Sequence, residues 1–305
     1  MSTRILRVGT RGSALALAQS GLVADRIADI AGCGVELVRI RTEGDVNAGP
    51  LASIGGTGVF VTGVRAALID GSVDLVVHSY KDLPTAAAEG VAVAAVPVRE
   101  SPFDALCARN GLTLDELPTG STVGTGSPRR AAQLLIHRPD LRVASIRGNV
   151  DTRLAMVTGG RLDAVVLAVA GLRRLGRQDA ISQILGADLM LPAPAQGALA
   201  VECRAGEGAW FAEAARALDD PATRAAVLAE RVLLRDLGAG CSAPVGAYAQ
   251  VDDGALTLRA VVLAGDGGAE FRVLRAGSPD RAAELGADAA AELLAQGAGS
   301  LLGSR

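Results

Sequence analysis

The sequence predicts an α/β protein with two similar α/β lobes and a small C-terminal α+β domain that contains a three-stranded antiparallel sheet. Along the first two-thirds of the 305 residues, strand-like apolar runs alternate with segments of helical periodicity, which is typical of mainly parallel sheets covered by helices. Two motifs recur further along the chain: GTRGS at 9–13 resembles GTGSPRR at 124–130, and VDLVVHSYKDL at 73–83 resembles LDAVVLAVAGL at 162–172. Common strand-to-helix turn chemistry would explain these echoes as well as duplicated lobes would. The final segment instead holds three strand-like runs separated by Gly/Asp turns.

The individual elements follow from these periodicities. Strand-like patterns occupy 5–10, 35–42, 73–79, 91–98, 121–125, 142–146 and 164–168. Helical patterns occupy 15–30, 59–69, 129–138 and 151–158, and we expect a loop between 98 and 121. Near the C-terminus, a helix at 223–237 ends at Gly238, the strands VGAYAQV, ALTLRAVVLA and EFRVLRAG follow, and a helix at about 279–297 closes the chain.

Length, charge and composition exclude several classes of protein. A chain of 305 residues predicts two or three domains, because single cores rarely grow beyond about 250–300 residues. The net charge of −3 and an aromatic content of 2% predict neither a nucleic-acid nor a membrane partner. No signal-peptide pattern and no apolar run of about 18 residues occur, so we expect a cytoplasmic protein. The four cysteines form no CxxC pair, and no metal site is predicted.

The arginine-rich segment 129–153 is the strongest physical signal. It contains six arginines against two aspartates, and Arg129 and Arg130 open a helix directly after Gly-Ser-Pro. Cations are unfavourable at a helix N-terminus unless an anion is bound there. Planar guanidinium groups bind carboxylates in pairs, so we expect Arg129, Arg130, Arg147 and Arg153 to bind an anionic ligand. A solvated basic face is the alternative, and it suits Arg138 and Arg142.

The GTRGS turn is a second candidate anion site at the start of a helix. Ser13 is placed to cap that helix, which is the ordinary role of such a serine. Arg11 is less easily explained by capping. The turn matches neither a Walker A loop nor GxGxxG, so small carboxylates or phosphates are favoured over nucleotides.

The HSYKDLP segment at 78–84 follows a strand that is apolar throughout, so it lies at the carboxyl end of that strand. Ligands bind at this end of open α/β sheets. Asp82, beside Lys81, could stabilise a cationic intermediate or transfer a proton. A turn-capping aspartate before Leu-Pro is the alternative.

Cys241 lies in LGAGCSAPVG, a segment of small residues that predicts an exposed loop. A structural cysteine is more often buried in an apolar strand, as Cys203 is expected to be. Cys241 is therefore a candidate nucleophile or attachment point.

Together, these motifs resemble the porphobilinogen deaminase family, in the same order and over nearly the whole chain. The matching stretches are VGTRGSALALAQ, EGD at 43–45, GVF at 58–60, HSYKDLPT, RESPFDAL at 99–106, VGTGSPRRAAQL, RPDL, SIRGNVDTRL, DAVVLAVAGLRRLG, LPAPAQGALAVECR and GAGCSAPVGAYA. Beyond about residue 250 the chain matches only in pattern. The loop IGGTGVF departs from the family, because Ser53 and Thr57 stand where relatives often carry lysine.

The resemblance implies a transferase, a hydroxymethylbilane synthase. Such an enzyme condenses four porphobilinogen molecules head to tail, with loss of ammonia, on a covalent dipyrromethane primer, and then releases linear hydroxymethylbilane by hydrolysis for haem biosynthesis. The resemblance implies that Cys241 carries the primer through a thioether and that Asp82 is the catalytic carboxylate. It also implies that cofactor and substrate are bound by Arg11, Ser13, Ser79, Lys81, Thr125, Ser127, Arg129, Arg130, Arg147, Arg153, Arg174 and Gln196.

The family's fold implies two lobes like those of periplasmic binding proteins. The expected divisions are 1–99 with 200–218, 100–199, and a C-terminal domain at 219–305 that carries Cys241. A monomer is expected. A non-enzymatic two-lobe binding protein for a small anionic ligand is the main alternative, and a Schiff-base enzyme that uses Lys81 is a second one. The presence of Cys241 and Asp82 favours the deaminase.

Overall fold

Three β-sheets organise the residues that the computed structural model describes, which are 4–40, 61–206, 209–240 and 243–302. The chain divides into two compact units. The first comprises Met1–Arg99 and Ala198–Arg224, and the second comprises Glu100–Gly197 and Ala225–Arg305. One five-stranded sheet belongs to the first unit, and the other two sheets belong to the second.

The sheet of the first unit has the order β2-β1-β3-β10-β4. Its strands are β1 (Ile5–Thr10), β2 (Gly34–Arg39), β3 (Leu75–Ser79), β4 (Val91–Ala95) and β10 (Leu199–Arg204). Strand β1 pairs in parallel with β2 and β3, and β10 runs antiparallel between β3 and β4. Leu75, Val76 and Val77 of β3 are all buried, as expected for a central strand covered on both faces.

Three helices accompany this sheet: α1 (Ala14–Ala31), α2 (Thr62–Ile69) and α6 (Ala212–Arg216). Val23 and Ile27 of α1 pack with Leu75 and Val77 on one face. On the other face, Val64 and Leu68 of α2 pack against Val73 and Val76. Ser13 accepts a hydrogen bond from the backbone N–H of Ala16 and caps α1, which confirms the capping role predicted for it.

The five-stranded sheet of the second unit has the order β7-β6-β8-β5-β9. Its strands are β5 (Asp104–Ala108), β6 (Thr122–Gly124), β7 (Arg142–Ala144), β8 (Ala164–Ala168) and β9 (Gln183–Leu185). The helices are α3 (Pro128–His137), α4 (Val150–Thr158) and α5 (Val169–Arg174). Leu134 of α3 packs on one face of the sheet, and Val157 of α4 packs on the other.

The two five-stranded sheets share one plan. In the first sheet, β1 lies between its parallel neighbours β2 and β3, and β10 pairs antiparallel with β3. In the second sheet, β6 lies between its parallel neighbours β7 and β8, and β5 pairs antiparallel with β8. GTRGS connects β1 to α1, and GTGSPRR connects the equivalent strand β6 to α3. The second pair of echoing motifs forms the equivalent strands β3 and β8. The prediction of two similar lobes is therefore confirmed.

The C-terminal sheet consists of β11 (Val245–Asp252), β12 (Ala255–Leu263) and β13 (Glu270–Gly277), paired antiparallel in that order. Two helices, α7 (Pro221–Asp236) and α8 (Ala282–Ala295), bury Leu233 and Leu293 against Leu256 and Leu258 of β12. This arrangement confirms the predicted three-stranded antiparallel sheet.

Some expectations were wrong in detail. The expected loop between 98 and 121 contains strand β5. The closing helix is divided into a 3-10 turn at Pro279–Arg281 and the α-helix that follows it. In the described part of the chain, no helix has the length and apolar character that crossing a membrane requires.

Candidate active site

A pocket of about 100 Å³ opens in the first unit where β1 and β3 end. Because these strands are parallel, their carboxyl ends meet at one edge of the sheet, which is where α/β folds bind ligands. Four residues predicted from the sequence line this pocket: Arg11, Ser13, Ser79 and Asp82. The structure therefore brings the GTRGS turn and the HSYKDLP segment together, although they are about 70 residues apart in sequence.

The two sides of the pocket differ in chemistry. Arg11, half-buried, and Ser13 lie at the N-terminus of α1, where free backbone N–H groups favour anions. Asp82 ends a 3-10 turn that follows β3, and it is exposed. Lys81 occupies the same turn and is half-buried, but it is not among the residues that line the pocket. A cationic group and an anionic group thus share one small pocket.

Gln19 is a pocket residue that the sequence reasoning missed. It is buried on α1, its Nε2 lies 3.0 Å from Ser79 Oγ, and its Oε1 lies 3.1 Å from the same hydroxyl. This contact fixes Ser79 at the end of β3. The helical spacing of α1 places Gln19 on the inward face, but sequence spacing does not reveal its partner.

A second missed group lies behind His78, which also lines the pocket. His78 Nε2 is 3.3 Å from Glu202 Oε2, and Arg65 donates two hydrogen bonds to the same carboxylate, at 2.9 and 2.5 Å. Burial alone would raise the pKa of Glu202, but hydrogen bonds from Arg65 and His78 outweigh it and lower the pKa to about 2. Glu202 is therefore a buried carboxylate that fixes one wall of the pocket.

The second unit contains a buried cluster of opposite charges around Asp104, the first residue of β5. Asp104 has no exposed surface, and four donor contacts surround it. Arg129 Nη2 donates to Oδ2 at 2.7 Å, and Arg130 donates to Oδ1 through Nη2 at 2.6 Å and through Nε at 3.0 Å. Gln196 Nε2 donates to Oδ1 at 2.9 Å. Asp104 thus places a protein carboxylate at the N-terminus of α3, where a bound anionic ligand was expected.

Electrostatics within this cluster follow from burial and charge. Burial by itself would raise the pKa of Asp104, but the charges of Arg129 and Arg130 and the bonds from Arg130 and Gln196 hold it far below its ordinary value. Burial lowers the pKa of Arg129, and Asp104 opposes that change. An arginine pair at a helix N-terminus indicates an anion, but this signal does not identify Asp104 as its source.

Thr125 and Ser127 shape the turn before these arginines. Ser127 caps α3 by accepting from the backbone N–H of Arg130 at 3.4 Å, and Thr125 Oγ1 accepts from the N–H of Ser127 at 3.2 Å. Both hydroxyl groups therefore hold the turn in place, and each keeps its own proton for donation.

The remaining predicted arginines are spread over the second unit. Arg153 donates through Nε to the carbonyl of Gly148 at 2.8 Å, and burial together with the nearby charge of Arg130 lowers its pKa. Arg147 is exposed. Arg174 donates to the carbonyl of Gly197 at 2.7 Å, and burial lowers its pKa. The effect of the Arg130 charge on Arg153 shows that Arg153 lies near the buried arginine pair.

Other predictions concern residues that the structure does not describe. Cys241 lies outside the described residues, as do Ser53 and Thr57 of the loop that departs from the family pattern.

The described cysteines, Cys33, Cys107 and Cys203, are free thiols, and burial raises the pKa of Cys107 to about 12. Among the described residues, no group of three or more His, Cys, Asp or Glu side chains could hold a metal ion.

Comparison with known proteins identifies the family. Residues 6–211 match the family described as "Porphobilinogen deaminase, dipyromethane cofactor binding domain", and residues 224–295 match "Porphobilinogen deaminase, C-terminal domain". The chain belongs to the porphobilinogen deaminase family.

Relatives match this deaminase over nearly its full length. "Porphobilinogen deaminase 1" of Streptomyces coelicolor is 52% identical over 318 residues, which cover 100% of this chain and 99% of that protein. "Porphobilinogen deaminase" of Mycobacterium bovis is 54% identical over 307 residues, 98% of each chain. Among solved structures, a periplasmic substrate-binding protein from Coxiella burnetii has a TM-score of 0.45 and 15% identity, covering 74% of this chain and 94% of that one.

As a porphobilinogen deaminase, the protein is a transferase with a dipyrromethane cofactor. Dipyrromethane is built from two porphobilinogen units, so it carries several carboxylate groups and requires several cations. Around the buried cluster, Arg129, Arg130 and Arg153 supply three guanidinium charges against the single carboxylate of Asp104. The excess of positive charge at this cluster fits an anionic cofactor.

Proposed function

We propose that Asp82 is the catalytic carboxylate of this deaminase and that the pocket around it binds porphobilinogen. The observation that carries the proposal is the shared pocket, in which an exposed carboxylate and the Arg11 guanidinium line one small cavity at the carboxyl ends of β1 and β3. Porphobilinogen carries two carboxylates and one aminomethyl group, so it is complementary to a pocket with both charges.

Arg11 binds a side-chain carboxylate of the substrate in this proposal. Guanidinium groups match carboxylates in paired hydrogen bonds, and the N-terminus of α1 adds a partial positive charge beside it. Ser13 and Ser79 donate hydrogen bonds to the same substrate. When Gln19 Nε2 donates to Ser79 Oγ, the single proton of the Ser79 hydroxyl is left to donate to the substrate.

Asp82 acts on the opposite end of the substrate. Loss of ammonia from porphobilinogen leaves an electrophilic cation, and a fixed carboxylate close to the pyrrole nitrogen stabilises the charge as it forms. The same carboxylate can hold and pass on the proton that leaves the coupling carbon. The short 3-10 turn fixes Asp82 relative to β3.

Arg129, Arg130, Arg147 and Arg153 would hold the carboxylates of the cofactor and of the growing chain. Thr125, Ser127, Lys81 and Gln196 would add hydrogen bonds, and Arg174 would assist elongation. When bound through a thioether to Cys241, the cofactor supplies the primer to which each pyrrole is joined. Four porphobilinogen molecules are condensed in this way, and hydrolysis releases hydroxymethylbilane.

Further proposals concern organisation. We propose three domains, at 1–99 with 200–218, at 100–199 and at 219–305; the three sheets, which have largely separate apolar clusters, support this division. We also propose a cytoplasmic monomer that binds neither nucleic acid nor membrane. The low net charge of −3 and the scarcity of aromatic residues support the absence of those partners.

Substitution of Asp82 by Asn tests the proposed catalytic role. Because Asp82 is exposed, Asp82→Asn should keep the melting temperature of the wild type, yet kcat should fall about a hundredfold or more, as for other lost electrostatic stabilisers. Asp25→Asn, an exposed aspartate on α1, is the matched control and should retain full activity. Near-normal turnover by the Asp82 variant would contradict the assignment.

A further inference from the structure

Glu230 on helix α7 is a fully buried carboxylate that joins two separate segments of backbone. Its Oε2 accepts a hydrogen bond from the N–H of Ala195 at 2.5 Å, and its Oε1 accepts one from the N–H of Ala249 on β11 at 2.7 Å. Hydrogen bonds between a carboxylate and backbone N–H groups are among the strong ones. Glu230 therefore ties the loop after Leu191 to the C-terminal sheet.

The loop end of this contact has an unusual backbone conformation. Ala195 has a φ of 61°, in the left-handed region that a residue with a Cβ atom rarely adopts, and it is fully buried. Such a conformation persists only where surrounding contacts enforce it. The bond from Ala195 to Glu230 is one such contact.

The next residue, Gln196, reaches the arginine cluster. Its side-chain Nε2 donates to Asp104 Oδ1 at 2.9 Å and to the carbonyl of Pro102 at 2.7 Å. A change of φ at Ala195 would rotate the chain that follows and would move this amide away from Asp104. Gln196 therefore depends on Ala195 for its direction.

We propose that Glu230 is a positioning residue for the buried arginine pair. It holds Ala195 in the left-handed conformation, which keeps the Gln196 amide on Asp104, and Asp104 in turn orients Arg129 and Arg130. The proposal rests on the function proposed above, in which these arginines hold the carboxylates of the cofactor. Glu230 itself touches neither cofactor nor substrate in this scheme.

Glu230→Gln is the first test, because it keeps the shape of the side chain but replaces one acceptor oxygen by a donor. We expect the cofactor content of the purified enzyme, measured by colour with an aldehyde reagent, to fall, and the KM for porphobilinogen to rise about tenfold. Asp236→Asn, on the same helix, is the control and should change neither quantity. Glu230→Asp serves as a second variant if the first fails to fold, and it should shift both quantities in the same direction.

Rescue by glycine separates positioning from general stabilisation. Glycine adopts positive φ without a steric penalty, so Ala195→Gly added to Glu230→Gln should restore a large part of the cofactor content and of the KM. Failure of the rescue, or normal cofactor content and KM in both Glu230 variants, would overturn the proposal. If the wild-type protein itself did not turn over porphobilinogen, the function proposed above would fail instead.

Discussion

Asp104→Asn removes one negative charge from the buried ion cluster of the second unit while preserving side-chain shape. Asp104 has no exposed surface, and the side chains of Arg129 and Arg130 are 3% and 8% exposed. Removing one partner of a buried ion pair lowers the free energy of unfolding by about 3–5 kcal/mol, because the remaining charge stays buried without compensation. At roughly 2–4 °C per kcal/mol for a unit of this size, the melting temperature should fall by about 6–20 °C.

Thermal unfolding followed by circular dichroism measures this change, with aldehyde colour as a readout of cofactor content. Asp188→Asn is the control, because its carboxylate is 91% exposed and pairs with Arg259 at the surface, where such pairs contribute little. We expect Asp104→Asn to lower both the melting temperature and the cofactor content. A melting temperature within about 2 °C of the wild type would show that Asp104 does not compensate the buried charges of the arginine pair.

Two further predictions concern the support of the two sites. Glu202 has a folded-state pKa of about 2, below the unfolded value of about 4.3, so its contribution to stability is complete above about pH 5 and is lost as the pH falls toward 2. In urea unfolding at a series of pH values, the stability difference between wild type and Glu202→Gln should shrink by roughly 3 kcal/mol across that window; parallel curves would argue against it. Gly197→Ala should lower the melting temperature more than Gly176→Ala does. Both glycines have a positive φ, so both substitutions strain the backbone, but only at Gly197 would the new Cβ also collide with another atom, the carbonyl oxygen of Glu100 at 2.2 Å. Equal losses in the two glycine variants would show that the steric contact is relieved at no cost.

Much of the first pocket could be predicted from sequence because its signals are local. The apolar run of β3 predicted a buried strand, and the rule that ligands bind at the carboxyl ends of parallel strands then placed Asp82 at the sheet edge, while Ser79 was expected from the family resemblance. The turn chemistry of GTRGS placed Arg11 and Ser13 at a helix start. The pocket lining shows that these segments meet, which their local signals did not predict.

The partners of the arginine pair could not be predicted in the same way. Asp104 begins a short strand whose position beside β8 depends on the order in which strands cross the sheet, and periodicity carries no information on that order. The left-handed φ of Ala195 has no local signature either, since alanine ordinarily avoids it and a tertiary bond to Glu230 accompanies it. The Asp104 contacts and the conformation of Ala195 were therefore not predictable, because both depend on hydrogen bonds between residues far apart in the sequence.

The most direct test of the account is the intact mass of the denatured protein after incubation with limiting porphobilinogen. The wild type should carry the primer and then up to four equal additions, each one porphobilinogen less one ammonia. Cys241→Ala should remain at the mass of the bare chain. A wild-type protein that stays at the bare mass, or a Cys241 variant that still gains the additions, would contradict a thiol-tethered primer extended by this enzyme.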